Sequence, residues 1–172
     1  MDKRTAQYIV VKPFKDQDYG AVRYGLCIHR IMELLAQEEF SLNHIESVIE
    51  RAVIEFFPPT DRGLAKKTIS KHLNGLFSSE VWKKFLAMCK DKRLFPEKDI
   101  IMGEFSAGRM DLLCLSDDEA IVFDYKIGGE ESEHIEQIRA YINELAKKIT
   151  TPVRGFLFYI SESGSFLKEV KA

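Results

Sequence analysis

Cysteine is scarce in this chain: three residues among 172, Cys27, Cys89 and Cys114, far apart and without a C-x-x-C pair. That spacing argues against a zinc knuckle or a disulfide framework, and it fits core thiols in a reducing compartment. Long apolar runs are missing as well. Nothing approaches the roughly 20 residues of a membrane span, and Met1-Asp2-Lys3-Arg4 is not followed by a signal-type apolar stretch. The expectation is therefore a cytoplasmic protein that does not engage a membrane. Internal repeats, low-complexity tracts and a convincing linker are absent too. With 45% hydrophobic content, 172 residues suffice for one substantial core but not for two ordinary domains, so 1–172 reads as a single domain.

Net charge is only −2, yet its distribution is uneven. Between Arg62 and Arg93 stand nine basic residues (Arg62, Lys66, Lys67, Lys71, Lys83, Lys84, Lys90, Lys92, Arg93) against Glu80 and Asp91, so this stretch carries +7 and the remainder −9. Such a block is either a face that tracks phosphates or a set of solvated helix surfaces.

Periodicity divides the chain in two. Residues 1–20 give a weak signal, with Tyr8 to Val11 as an edge strand or part of a linker. From Tyr24 to Gln37 the spacing of Leu26, Ile28, Ile31, Met32, Leu34 and Leu35 predicts a mostly buried helix. Further helices are expected at Ser41–Phe57, with Ser41 as a candidate cap and Pro58-Pro59 as the stop, at Arg62–Leu76 and at Ser79–Cys89. Residues 24–93 are thus mainly helical. After Phe95-Pro96 the character changes: strands are expected at Ile100–Phe105, Gly108–Leu115, Ala120–Lys126, Val153–Ile160 and Phe166–Val170, with a helix at Ser132–Ile149. A helical half followed by β-β-β-α-β-β makes an α/β (α+β) domain with a mixed central sheet flanked by helices, its sheet-bearing core spanning 97–170.

Within that core two carboxylates, Asp111 and Asp124, lie 13 positions apart, each beside a short apolar run, with the turn Ser116-Asp117-Asp118-Glu119 between them. Two neighbouring strands follow from this pattern. Side chains at i and i+2 of a strand share a face, so Asp124 and Lys126 point the same way. Hard cations such as Mg2+ take oxygen ligands, usually from one or two carboxylates, and a nearby lysine orients water or assists its deprotonation. This combination suits a metal-dependent phosphodiesterase. By itself the pattern also describes a cross-strand ion pair on a solvated sheet.

Four segments in order extend the pattern: Gly25-Leu26-Cys27-Ile28-His29, Gly108-Arg109-Met110-Asp111-Leu112-Leu113, Asp124-Tyr125-Lys126, and the helix His134 to Tyr141 with its Q-x-x-x-Y spacing. Together they resemble the PD-(D/E)xK nuclease superfamily, whose core is restriction-endonuclease-like, and within it the RecB-like branch found at the C-terminus of bacterial helicase-nucleases such as RecB and AddA. The resemblance covers residues 25 to about 160. It implies that His29, Asp111 and Asp124 hold Mg2+ or Mn2+ with the backbone carbonyl of Tyr125, that Lys126 is the catalytic lysine, and that Gln137 and Tyr141 stand beside the active site. It also implies cleavage of DNA, single-stranded more than duplex, leaving a 5′-phosphate, as the exonuclease of a double-strand-break repair and recombination enzyme. Because the chain has no G-x-x-x-x-G-K-[ST], unwinding would fall to a helicase motor in a longer chain or a partner subunit.

Several points stay open on sequence. His29 lies on an apolar helix face where a satisfied core histidine is equally at home, and Glu33, one turn on, is an acid supporting the site from behind its ligands or a solvated residue. Glu97 and Glu104 both precede the Asp111 strand, and either matches an acid that the family often has there. Trp82 stacks on a base or fills the core. Ile127 stands where the family often has threonine after the D-Y-K motif, and three dispersed cysteines do not supply an iron–sulphur cluster, so none is expected. A non-catalytic DNA-binding or helicase-docking module on the same fold, and an RNA endonuclease of the same superfamily, are the competing functions.

Overall fold

The computed structural model describes residues 16–102 and 106–172, with side chains described for 20–102 and 107–172. Four helices come first: α1 (Asp16–Gln37), α2 (Ile45–Phe56), α3 (Arg62–Phe77) and α4 (Glu80–Cys89). They are followed by β1 (Arg93–Met102), β2 (Ser106–Leu115), β3 (Ala120–Ile127), α5 (Ser132–Ala146), β4 (Val153–Ile160) and β5 (Phe166–Val170). The strands form one sheet in the order β1-β2-β3-β4-β5, with β3 and β4 parallel and the other neighbours antiparallel. A mixed sheet flanked by helices, the fold class expected from the sequence, is what the chain forms.

The sheet separates two apolar clusters. On one face α1–α4 pack against Leu112, Cys114, Ile121, Phe123, Tyr125, Phe156, Phe158 and Ile160. On the other, Ile138, Tyr141, Ile142 and Leu145 of α5 cover Leu113, Ala120, Val122, Leu157 and Tyr159. Covered on both faces, β3 and β4 are almost continuously apolar, as central parallel strands must be. Phe85 sits at the centre of the helical side, its ring meeting Phe40, Trp82, Phe123 and Phe158. Trp82, 2% exposed and packed against Phe40, Phe77 and Phe85, is a core residue and not a stacking platform.

Element boundaries depart from the sequence reading in four places. Helix α1 begins at Asp16, two turns earlier than Tyr24. Ser41 caps nothing: Glu39 and Phe40 take positive φ (52° and 59°), which turns the buried Phe40 ring inward, and α2 starts only at Ile45 after His44. Ser41 Oγ instead accepts the Asn43 N–H at 3.4 Å. The first strand begins at Arg93 and not at Ile100, because Pro96 sits on an edge strand, where a missing N–H can face away from the sheet. The last expected turn of α5, up to Ile149, is not helical. Ser79, by contrast, does cap α4, its Oγ accepting the Trp82 N–H at 3.2 Å. Tyr8 to Val11, Glu104 and Phe105 lie outside the described residues.

Candidate active site

The site is built where strands stop pairing. Strands β2 and β3 are in register from Leu115↔Ala120 to Leu112↔Phe123, and the next step would place Asp111 opposite Asp124. That pair is not formed. The Asp111 side chain enters the gap, and its Oδ2 accepts the Tyr125 N–H at 2.6 Å, so a carboxylate stands in for a strand carbonyl. On the other side of β2, pairing with β1 is likewise interrupted at Glu97 and Asp111, although Pro96↔Leu112 and Lys98↔Met110 keep one register. Glu97 has φ 50°, a conformation that non-glycine residues rarely adopt. The apolar alternation slips at the same level: Phe95, Leu113 and Leu115 belong to the α5-side cluster, and so do Ile100, Met102 and Met110 beyond the kink. One irregularity shared by two strands thus withdraws both carboxylates from the α5 face, a local strain of the sort that clusters at functional sites.

There they meet His29. Its Nδ1 lies 3.4 Å from Asp111 Oδ1, and its ring stands edge-on to Tyr125 with centroids 6.0 Å apart. Ligand atoms of His29, Glu97 and Asp111 all fall within 4.8 Å of one another. Asp124 is not in that group, so the expected set of His29, Asp111 and Asp124 is gathered differently: Glu97 joins the first two, and Asp124 pairs with the lysine. Of the two acids left open by the sequence, Glu97 is found here, and Glu104 lies outside the described residues. Arg109, which sequence reasoning did not single out, holds Glu97 at 3.2 Å and Asp99 at 3.1 Å. Glu33, half-buried, pairs with Arg30 at 2.6 Å, and its charge also reaches Glu97.

On the α5 side the i, i+2 pair behaves as strand geometry requires. Lys126 Nζ is 2.6 Å from Asp124 Oδ2. That contact is an ion pair without hydrogen-bond alignment, for the same buried oxygen has no hydrogen-bond partner among the described residues. Lys126 donates to Gln137 Oε1 at 2.8 Å, and Gln137 Nε2 donates to Tyr141 Oη at 2.9 Å. Gln137 and Tyr141, one turn apart on α5, thus lock each other. Tyr141 also explains Gly108: a Cβ there would come within 2.6 Å of Tyr141 Cε1 and 2.9 Å of Met102 Sδ. Tyr125 supplies its backbone N–H to Asp111, while its side chain is buried with Oη lacking a partner among the described residues.

Electrostatics follow from burial and crowding. Burial, and then the charge of Asp111, push the Asp124 carboxyl up to about 6, against the pull of Lys126 and His29. Burial lowers the His29 imidazole, but the hydrogen bond and charge of Asp111 outweigh it, so its pKa is raised. Burial likewise raises Glu97, opposed by Arg109 and reinforced by Asp111 and Glu33. Crowded carboxylates beside an imidazole that favours its protonated form are what a hard dication relieves, and two carboxylates with one imidazole nitrogen make a suitable donor set. The residues present fit a divalent metal.

The basic block is partly consumed by structure. Lys66 faces Glu46 and Glu50, Lys83 pairs with Glu80, Lys92 with Glu119, and Arg62 donates to the carbonyls of Phe57 and Ile54.

Neither a protein-family model nor a curated protein matches the chain. Among solved structures, a crystal structure of a protein designated SSO0001 aligns over 86% of this chain with 17% identity and a TM-score of 0.35. The chain covers 66% of that protein's length, and a likeness of this degree carries no argument about fold or function. No helix among the described residues is long and apolar enough to cross a membrane.

Proposed function

We propose that this chain is a divalent-metal-dependent deoxyribonuclease of the RecB-like kind that its motifs resemble. The observation that supports this most is the continuous polar chain Asp124–Lys126–Gln137–Tyr141 facing, across the parting of β2 and β3, the His29–Glu97–Asp111 group. A structural ion pair would not need a glutamine to hold its lysine, nor a glycine to make room for the tyrosine that holds the glutamine.

Mg2+ or Mn2+ would be held by Asp111 with Glu97 and His29, and by Asp124 on the adjoining strand. When bound, the ion supplies charge stabilisation at the phosphate and acidifies water. Tyr141, whose pKa burial raises, stays a neutral hydroxyl and accepts from the Gln137 amide nitrogen. The Lys126 ammonium can only donate, so it takes the amide oxygen and leaves the amide nitrogen to Tyr141, and the Gln137 oxygen then holds the ammonium against the reacting phosphate. From there Lys126 orients the attacking water or donates to the charge that develops on the phosphate. Asp111, tied to the Tyr125 N–H through one oxygen, keeps the other turned to His29. The wider context we propose is exonucleolytic processing of single-stranded DNA delivered by a helicase motor, in the same full-length chain or in a partner subunit.

The test is a panel of end-labelled single-stranded DNA, duplex DNA and RNA, each with Mg2+, Mn2+ or EDTA. Cutting of single-stranded DNA that EDTA abolishes is expected. Preferential cutting of RNA would transfer the reading to a ribonuclease, and binding without cutting in either metal would favour a non-catalytic module.

A further inference from the structure

A cleft of about 520 Å3 away from this centre lies where α3, the start of α4 and the β4–β5 loop converge. Ser161, which opens that loop, follows Ile160, and Ile160 pairs with Ile127 next to Lys126. The cleft therefore opens at the same end of the parallel pair β3–β4 as the candidate active site. Along α1 the two are linked by Tyr24 and His29, five residues or about 7.5 Å of helix rise apart. Three features of the lining converge on anion chemistry. The first is the N-terminus of the ten-residue α4: Ser79 Oγ takes the Trp82 N–H, which leaves the Glu80 and Val81 N–H groups without a hydrogen-bonded acceptor among the described residues. The second is Lys71, exposed and without an ion pair among the described residues. The third is His72, 8% exposed: Tyr24 Oη holds its Nδ1, while Nε2 has no hydrogen-bond partner among the described residues and the ring borders the cleft. Glu80 on the rim is neutralised by Lys83 at 2.6 Å, which leaves Glu162 as the opposing carboxylate.

We infer that this cleft is a phosphate subsite, holding a backbone phosphate of the single-stranded DNA whose scissile bond lies at Lys126, a few nucleotides away. The inference rests on the nuclease reading for its substrate but not for its test, which needs no cutting. A fluorescent single-stranded oligonucleotide is titrated in EDTA at several salt concentrations against wild type, Lys71→Ala, Lys71→Arg and, as a surface control, Lys90→Ala. Loss of one phosphate contact is expected to weaken binding by Lys71→Ala several-fold and to lower the slope of log Kd against log salt by about 0.7. Lys71→Arg and Lys90→Ala keep the wild-type slope. In parallel, the amide resonances of Glu80 and Val81 shift when inorganic phosphate is added. A Lys71→Ala slope equal to wild type, amides that do not respond, or a wild type that binds no oligonucleotide would each overturn the subsite. Intact binding with metal-independent or absent cutting would instead overturn the nuclease reading alone.

Discussion

Replacing Asp124 with asparagine should make the metal-free protein more stable while destroying its proposed function. Its side chain is 3% exposed, and its carboxyl is raised from 3.8 to about 6 by burial and by Asp111, with the favourable pull of Lys126 already counted. An acid that binds its proton more tightly in the folded state stabilises the fold below its unfolded pKa. That contribution is lost as pH rises through the folded pKa. The window runs from about pH 4 to about pH 6, and a shift of roughly two units corresponds to at most about 3 kcal/mol at neutral pH. An asparagine side chain at this position is isosteric and uncharged, and Lys126 keeps its Gln137 partner. Urea unfolding in EDTA should therefore find Asp124→Asn more stable than wild type by about 1–3 kcal/mol at pH 7.5. The two should converge near pH 4, where both carry a neutral group at 124. Adding Mg2+ should stabilise the wild type and not the variant. An asparagine variant that is less stable than wild type at every pH would refute the reasoning, because it would make the Asp124 carboxylate a net stabiliser of the fold.

Three further outcomes follow from the same geometry. Gly108→Ala should cost about 1–3 kcal/mol by driving a methyl group into Tyr141 and Met102. In a Tyr141→Ala background the cost should shrink, which a double-mutant cycle by urea unfolding would measure. Ser79→Ala should lose about 1 kcal/mol of stability with its cap, read from the urea midpoint. Gln137→Ala should reduce single-turnover cutting by roughly 10- to 100-fold, as loss of a supporting partner does, while its urea midpoint moves little.

The fold was readable where period and burial agree. Strands β4 and β5, the β2–β3 hairpin and α3 follow from apolar runs broken by turn residues, and Lys126 beside Asp124 follows from the two-residue repeat of a strand. Where the reading failed, a tertiary cause had overridden a local one. Pro96 signals a break in any strand except one at a sheet edge, and edge status depends on the order of all five strands. Ser41 looks like a helix cap, but the burial of Phe40 decides where the chain turns. Glu97 could not be placed in the site from spacing, because its position beside His29 comes from a kink that β1 and β2 share and from a helix some 70 positions earlier. Arg109 gave no signal of its own, since its role is to hold that same glutamate.

In the proposed reaction Lys126, held by Asp124 and Gln137, acts on a phosphodiester beside a metal bound at Asp111. Single-turnover cleavage of single-stranded DNA in Mg2+ by wild type, Lys126→Ala and Asp111→Ala measures it most directly. Cutting by wild type is expected, with a fall of roughly 10²–10⁴-fold for Lys126→Ala while DNA binding is retained, and no Mg2+-dependent cutting by Asp111→Ala. Mg2+-dependent cutting that survives both substitutions would contradict it.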